Sequence, residues 1–413
     1  MPPPVSWSLL ALATLCCLVP RALAKGSLQQ DSAESDADHQ AHLTCHNLAN
    51  IITDLAFAMY TEPSYWSNTS NILFSPLSIT AALAMLSLGA WGDTRSLIQE
   101  TLKFNPKEAP EALIHGCFQQ MIHRILQTGH KTQLLTGSSL FMDKGLRPVA
   151  TFLEGIKHWY HSKVTTVHFQ DTKAARKHIN GYVEKETKRK IRDVVQGLDS
   201  ATRLVLVNYI FFHGKWIDEV QAMHPVQESF HVQEKRAMRV PMVNHLGTFY
   251  LHRDESLSSW VLVLHGVGGD TAFFLLPDPK KMGELERRLT RQHFEEILRH
   301  TGTRSASVFL PRFSISGTHD LRPILGKLGI TNVFSDKADF SRITRAPVKL
   351  SKALHKAVLI MNEGFTKVRK ANAGNNKANN LTVKFNRPFL FILKDNNMHF
   401  PLFVGKVVDP TAH

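Results

Sequence analysis

The order of hydrophobic patterns along the chain constrains its fold most. Helical spacing of apolar residues occurs in NLANIITDLAFAMYT, SPLSITAALAMLSLGAWG, EALIHGCFQQMIHRILQ, VATFLEGIKHWYHS, AARKHINGYVEKET and GELERRLTRQHFEEILRH. Strand-like runs occur in TQLLTGSSLFMD, TRLVLVNYIFFHGKW, SSWVLVLHGVGGDTAFFLLPD, SASVFLPRFSISG, KAVLIMN, VKFNRPFLFILKD and PLFVGKVVD. Helices concentrate early and strands late, without regular alternation. This order predicts an α+β domain with antiparallel or mixed sheets.

The chain is predicted to be one large domain behind two short N-terminal segments. Its 413 residues, 43% of them hydrophobic, can bury a sizeable core, which excludes a disordered protein. Residues 1–24 combine an apolar run from Leu9 to Val19 with a small-x-small motif ending at Ala24, which predicts a secretory signal peptide. Residues 25–44 are polar and acidic and are expected to form a flexible tail. Residues 45–413 are expected to form the single domain.

A secreted, extracellular location agrees with three further features. No later apolar stretch is long enough to cross a membrane, so no membrane association is expected. The sequons at Asn68 and Asn380 predict N-glycosylation. Once the signal peptide is removed, Cys45 and Cys117 are the cysteines that remain. They either pair, as the oxidising secretory route allows, or both stay as thiols.

The basic charge of the chain indicates polyanions as possible partners. The formal net charge is +14, and part of it lies in the stretch TKAARKHINGYVEKETKRKIRD. Lys188, Arg189, Lys190 and Arg192 are the candidate residues for binding a glycosaminoglycan. The alternative interpretation is a solvated helix face and loop. Nucleic acid is not an expected partner.

Enzymatic motifs are missing from the sequence. It contains no phosphate loop, no HExxH, no GxSxG and no paired CxxC. The stretch GVGGD, Gly266 to Asp270, lies between two strand-like runs and predicts a hairpin turn. The histidines are scattered without the spacing of metal ligands. We therefore expect no enzyme activity, no cofactor and no metal site.

Several sequence blocks together resemble the serpin family. They are ILFSPLSITAALAMLSLGAWGDT, LVNYIFFHGKW, LGITNVFSDKADFSRIT, VKFNRPFLFIL and PLFVGKVVDP, in the family's order and spacing. The resemblance implies a monomer in which helices, concentrated in the N-terminal part of the chain, surround three β-sheets. It also implies an exposed reactive-centre loop at about residues 363–382. It also implies an inhibitor of serine proteases. A protease cleaves the loop, and the loop then inserts into the central sheet as an extra strand and distorts the bound enzyme.

The loop of this chain departs from what insertion requires. The resemblance assigns the hinge to Glu363, Gly364, Phe365, Thr366 and Lys370. If Thr366 is the first inward residue, period two sends Val368, Lys370 and Asn372 inward as well. A buried, unpaired ammonium costs several kcal/mol, so insertion should be slow. Slow insertion lets the acyl-enzyme hydrolyse, which predicts impaired inhibition.

The scissile bond and the supporting residues also follow from the resemblance. Counting back from VKFN places Lys377 before the scissile bond and Ala378 after it, whereas counting forward from Glu363 selects Asn379. Lys377 would suit a trypsin-like protease. The resemblance assigns Ser75, Ser78, Asn208 and His355 to a cluster that lets the sheet open. It assigns Trp216, Arg312 and Glu363 to the top of that sheet and the base of the loop.

These observations predict a secreted serpin that is a serine-protease inhibitor with impaired inhibition. Two alternatives remain open. The first is a non-inhibitory serpin that acts as a binding, carrier or chaperone-type protein. The second is a relative that is retained in the endoplasmic reticulum.

Overall fold

The computed structural model describes most of the chain. The described residues are 24–61, 69–104, 109–127, 133–214, 225–233, 236–266, 269–361, 381–397 and 399–412, with side chains described from residue 40 onwards. By its internal contacts the chain divides into one unit up to Leu43 and a second unit from Thr44 to His413.

The helices form mainly in the first half of the chain. They are α1 (Ala24–Tyr60), α2 (Pro76–Ser87), α3 (Gly92–Thr101), α4 (Glu111–Leu126), α5 (Ala150–Tyr160), α6 (Thr172–Glu186), α7 (Met282–Arg288), α8 (Arg291–Arg299), α9 (Leu321–Lys327) and a 3-10 turn at Asn332–Phe334. Helix α1 includes residues 25–44, the stretch for which the sequence predicted a flexible tail, and the flexibility of this stretch stays a prediction.

The strands lie mainly in the second half. They are β1 (Ile72–Phe74), β2 (Gln133–Asp143), β3 (Lys163–Val167), β4 (Leu204–His213), β5 (Val226–Gln233), β6 (Arg236–Asp254), β7 (Ser259–His265), β8 (Asp270–Pro277), β9 (Thr303–Pro311), β10 (Phe313–Asp320), β11 (Lys352–Met361), β12 (Leu381–Lys384), β13 (Phe389–Asp395) and β14 (Pro401–Val407). Strands β7 and β8 pair antiparallel on either side of GVGGD, as predicted for a hairpin.

Hydrogen bonding joins the described strands into two sheets. The smaller sheet has five strands in the order β10-β11-β4-β2-β3, and the larger has nine strands. Three sheets were expected; two appear because the 19-residue strand β6 pairs with β5, β9 and β7 along successive parts of its length. The α+β class and the mixed sheets agree with the prediction.

Two predicted segments are each divided in the structure. The run SASVFLPRFSISG forms β9 in the larger sheet and β10 in the smaller one, and Arg312 lies between them. The helical stretch GELERRLTRQHFEEILRH forms α7 and α8, because Thr290 caps α8 by accepting a hydrogen bond from the His293 amide. An internal cap of this kind starts a new helix.

Two hydrophobic clusters cover the two faces of the five-stranded sheet. The larger cluster contains Ala353, Ala357 and Leu359 of β11, together with most of α2. The smaller cluster lies between the sheet and α6 and includes Val207 of β4 and Leu354 of β11. Successive residues of β11 therefore point into different cores, as the strand period requires.

Candidate functional site

The junction between β4 and β11 is the centre of the candidate site. These neighbouring strands run parallel, with Asn208 of β4 opposite His355 of β11. Strand β11 ends at Met361, and the next described strand, β12, begins at Leu381 in the larger sheet. The segment between them therefore connects the two sheets. The predicted loop residues Glu363, Gly364, Phe365, Thr366, Lys370, Lys377, Ala378, Asn379 and Asn380 lie outside the described residues.

Helix α2 begins directly beside this junction. Ser75 is its N-cap residue and accepts a 3.2 Å hydrogen bond from the Ser78 amide, and Pro76 occupies the first turn. All twelve residues of α2 are buried. The cap thus fixes Ser75 and Ser78 against the sheet.

The structure brings together the four residues that the resemblance assigned to the sheet-opening cluster. Ser78 Oγ donates to Asn208 Oδ1 at 2.9 Å, and the Ser75 amide donates to His355 Nε2 at 3.1 Å. Because Nε2 accepts this bond, the neutral ring carries its proton on Nδ1, which donates to Asn208 Oδ1 at 2.5 Å. The cluster therefore links α2, β4 and β11.

Electrostatics keeps this cluster neutral. Complete burial lowers the pKa of His355 well below its usual value, and the neighbouring His319 ring lowers it further. Burial also lowers the pKa of His319 to about 4, against the opposing effect of its hydrogen bond to the Leu73 carbonyl oxygen at 2.7 Å. Protonation of His355 would place an N–H group against the Ser75 amide. The bonded network consequently requires the uncharged ring.

His319 and Ser138 are cluster neighbours that the sequence did not reveal. His319 lies opposite His355 in the β10–β11 register, with the two rings stacked at a centroid distance of 6.3 Å. Ser138 Oγ accepts a 2.9 Å hydrogen bond from Asn208 Nδ2. No local motif marks either residue, because only the strand register brings them to the cluster.

The residues predicted at the top of the sheet are described only in part. Trp216 and Glu363 lie outside the described residues. Arg312 lies between β9 and β10, and its amide donates to the Pro241 carbonyl oxygen at 3.3 Å. Its buried Nε has no hydrogen-bond partner within the described ranges.

Comparison with known proteins identifies this architecture. The family model described as "Serpin (serine protease inhibitor)" matches residues 50–410. The chain belongs to the serpin family. The human alpha-1-antitrypsin-related protein is 49% identical over the full length of both chains.

Two solved structures have the same fold as this serpin. Human glycosylated kallistatin is 37% identical, has a TM-score of 0.82 and matches over 90% of this chain and 99% of its own. Human thyroxine-binding globulin is 33% identical, has a TM-score of 0.81 and matches over 89% of this chain and 100% of its own. The family description is that of an inhibitor and not of an enzyme.

The remaining predicted positions of this serpin are not members of the β4–β11 cluster. Lys188, Arg189, Lys190 and Arg192 are all exposed, in the segment that follows α6. Cys45 of α1 and Cys117 of α4 form a disulfide, so the first of the two alternatives for these cysteines is correct. The predicted glycosylation site Asn68 is not among the described residues.

The described part of this serpin shows neither a metal-binding group nor a membrane-spanning helix. Within it, no group of three or more His, Cys, Asp or Glu side chains is placed to hold a metal ion. No helix in the same part has both the length and the apolar character needed to span a bilayer.

Proposed function

We propose that this protein is a secreted, glycosylated serpin that offers its loop to serine proteases but inhibits them poorly. The parallel pairing of β4 with β11 is the observation that carries the proposal. A chain that reverses direction after Met361 and enters this junction runs antiparallel to both strands. Insertion would replace one parallel pairing with two antiparallel ones, which are slightly more stable.

The hinge sequence opposes this insertion. Along β11, Ala357, Leu359 and Met361 point into the larger core and are almost completely buried. An inserted strand would alternate in the same way, and its inward set is proposed to be Thr366, Val368, Lys370 and Asn372. Lys370 would then lose its hydration in an apolar core, at a cost of several kcal/mol. An acyl-enzyme that waits for slow insertion hydrolyses instead.

The base of the loop is proposed to be anchored by Arg312. Its Nε is buried and has no hydrogen-bond partner among the residues that the structure describes. A buried N–H group of a guanidinium needs a hydrogen-bond acceptor, and a carboxylate also supplies the opposite charge. Glu363, two residues after the end of β11, is the proposed partner.

The alternation of inward and outward side chains along the loop supplies a test with a matched control. Lys370→Thr removes the charge from a proposed inward position, and Lys367→Thr removes the same charge from a neighbouring outward position. After incubation with trypsin or elastase, the unmodified protein should be cleaved in the loop without an SDS-stable complex. Lys370→Thr should form more complex per cleaved molecule, and Lys367→Thr should behave like the unmodified protein.

Two results would refute the proposal. A near-equimolar stable complex with the unmodified protein would show that inhibition is intact. Equal effects of the two substitutions would show that burial of the Lys370 charge is not what slows insertion. Mass analysis of the cleaved loop also identifies the scissile bond. We propose Lys377–Ala378 for a trypsin-like protease, with a sugar on Asn380 hindering its approach.

A carrier function is the second candidate, favoured by the 33% identity to thyroxine-binding globulin over that protein's whole length. It predicts saturable, stoichiometric binding of an iodothyronine by the uncleaved protein. Calorimetric titration with thyroxine measures this directly. Failure to bind thyroxine, combined with loop cleavage by trypsin, would favour the first proposed function, in which the loop is offered to proteases.

A further inference from the structure

An irregular segment crosses the junction between β4 and β11. This segment, residues 187–199, follows α6 and is here called the strap. Its Ile191, Val194 and Val195 are buried in the smaller core. The same core contains Phe211 of β4 and Leu354 of β11. The strap therefore packs over the place where an additional strand would enter.

Polar contacts fix the strap to its surroundings. Asn180 of α6 donates from Nδ2 to the Val195 carbonyl oxygen and accepts the Val195 amide on Oδ1, both at 2.9 Å. Lys190 Nζ lies 5.6 Å from the centre of the Phe211 ring on β4. Lys356 Nζ of β11 lies 3.5 Å from the Asp193 carbonyl oxygen. The strap and α6 thus form one layer that contacts both strands.

The turn at the start of the strap holds cations in an unusual backbone conformation. Lys188 and Arg189 have φ values of +50° and +64°, a region that favours glycine or asparagine. Thr187 supports the turn: its Oγ1 donates to the Val183 carbonyl oxygen at 2.7 Å and accepts the Ile191 amide at 3.1 Å. Two successive cations therefore occupy backbone positions that glycine or asparagine would fill with less strain.

The charges of this turn are available to a ligand. Lys185, Lys188, Arg189, Lys190 and Arg192 are all exposed. Within the described residues, Arg192 pairs with Glu184 at 3.2 Å, whereas the other four have no carboxylate partner. Four cations without a carboxylate partner within six residues attract a densely charged anion.

We propose that a sulfated polysaccharide binds this turn and holds the strap on the sheet. The predicted signal peptide places the protein where such polysaccharides occur, which favours them over nucleic acids. Entry of one strand requires β4 and β11 to move apart by about 4.8 Å, the spacing of neighbouring strands. The strap contacts both strands, so it must lift from at least one of them. A ligand bound to the closed strap opposes this movement.

The size of the effect follows from mass action. If only the closed strap binds the polysaccharide, the closed state gains a factor of 1 + [L]/Kd over the open state. Strand uptake then slows by about 100-fold at a ligand concentration of 100 Kd. This regulatory role rests on the proposed function, because it concerns the strand that the loop would supply. Binding and clamping themselves do not need the loop to insert.

Lys188→Asn combined with Arg189→Gly tests the site. Both replacements suit a positive φ, so the variant should fold at least as well as the unmodified protein. Lys337→Gln combined with Arg345→Gln is the matched control, since it removes two exposed charges elsewhere. The slope of log Kd for heparin against log salt concentration should fall by about two in the strap variant. The control should leave it unchanged.

The proposed hold of the bound polysaccharide on the closed strap is here called the clamp. Amide hydrogen exchange on the uncleaved protein tests it. Heparin should slow exchange in β4 and β11 of the unmodified protein and of the control, but not of the strap variant. If the strap variant binds heparin as tightly as the unmodified protein does, the proposed binding site is wrong. Binding without added protection in β4 and β11 would overturn the clamp. DNA that binds as tightly at equal salt would overturn the assignment to sulfated polysaccharide.

These measurements are independent of protease inhibition. A protein that binds heparin and gains protection, yet never inserts its loop, would retain the clamp and refute the proposed function. A protein that inserts its loop at the same rate with and without heparin would refute the clamp alone.

Discussion

Replacing Cys117 by serine tests how much the disulfide between α1 and α4 stabilises the fold. Cys45 and Cys117 are 72 residues apart in sequence, with their Cα atoms 5.2 Å apart. The chain-entropy relation for a closed loop of this length gives a loss of about 4 kcal/mol when the bond is removed. The unit from Thr44 to His413 has an unfolding entropy of about 0.8 kcal/mol per kelvin. The thermal midpoint should therefore fall by about 5 °C.

Calorimetry or circular dichroism of three variants measures this loss. Cys45→Ser, Cys117→Ser and the double variant all break the same bond, so their midpoints should fall by similar amounts. A reductant should lower the midpoint of the unmodified protein to the same level and leave the variants unchanged. Additive losses in the double variant, or a midpoint that reductant does not move, would refute the reasoning.

Two further predictions concern the sheet. Because the His319 pKa is about 4 in the folded protein and about 6.5 when unfolded, the unfolded state binds more protons between these values, and stability falls as the pH drops below 6.5. His319→Gln keeps a hydrogen-bond donor without titrating. Between pH 7 and pH 4, the free energy of unfolding of this variant should fall by about 3 kcal/mol less than that of the unmodified protein, as measured by denaturant titration at each pH. Gly317→Ala should destabilise, because a Cβ there would lie 2.1 Å from a backbone carbonyl oxygen. Gly181→Ala, which meets nothing within 4 Å on α6, should stabilise by about 0.5–1 kcal/mol, and the opposite ranking in thermal melts would contradict this packing argument.

Local patterns predicted element types better than their connections. The spacing of apolar residues correctly indicated α4, α5 and α6, and the run before GVGGD correctly indicated β7. The boundary between β9 and β10 was missed because both flanking sequences favour strands. Strand β9 pairs in the larger sheet and β10 in the smaller one, and only this difference in pairing separates the two strands.

The candidate site was predictable only through sequence blocks taken together. Ser75 and Ser78 have the local signature of a helix cap, but nothing near them indicates Asn208 or His355, which are more than 100 residues away. The pairing of Cys45 with Cys117 could not be derived either, because it depends on how α1 and α4 pack. Such long-range geometry is absent from a local pattern.

The pairing of β1 with β14 has a consequence for biosynthesis. Ile72 lies opposite Lys406, so an early strand of the larger sheet receives this partner only when nearly the whole chain has been made. Until then the edge of β1 and the core positions filled by β14 stay exposed, which is the condition under which a nascent chain aggregates or needs a chaperone. A premature stop that removes β14 should therefore leave a chain that cannot complete its core, even though the residues of the β4–β11 cluster are all present.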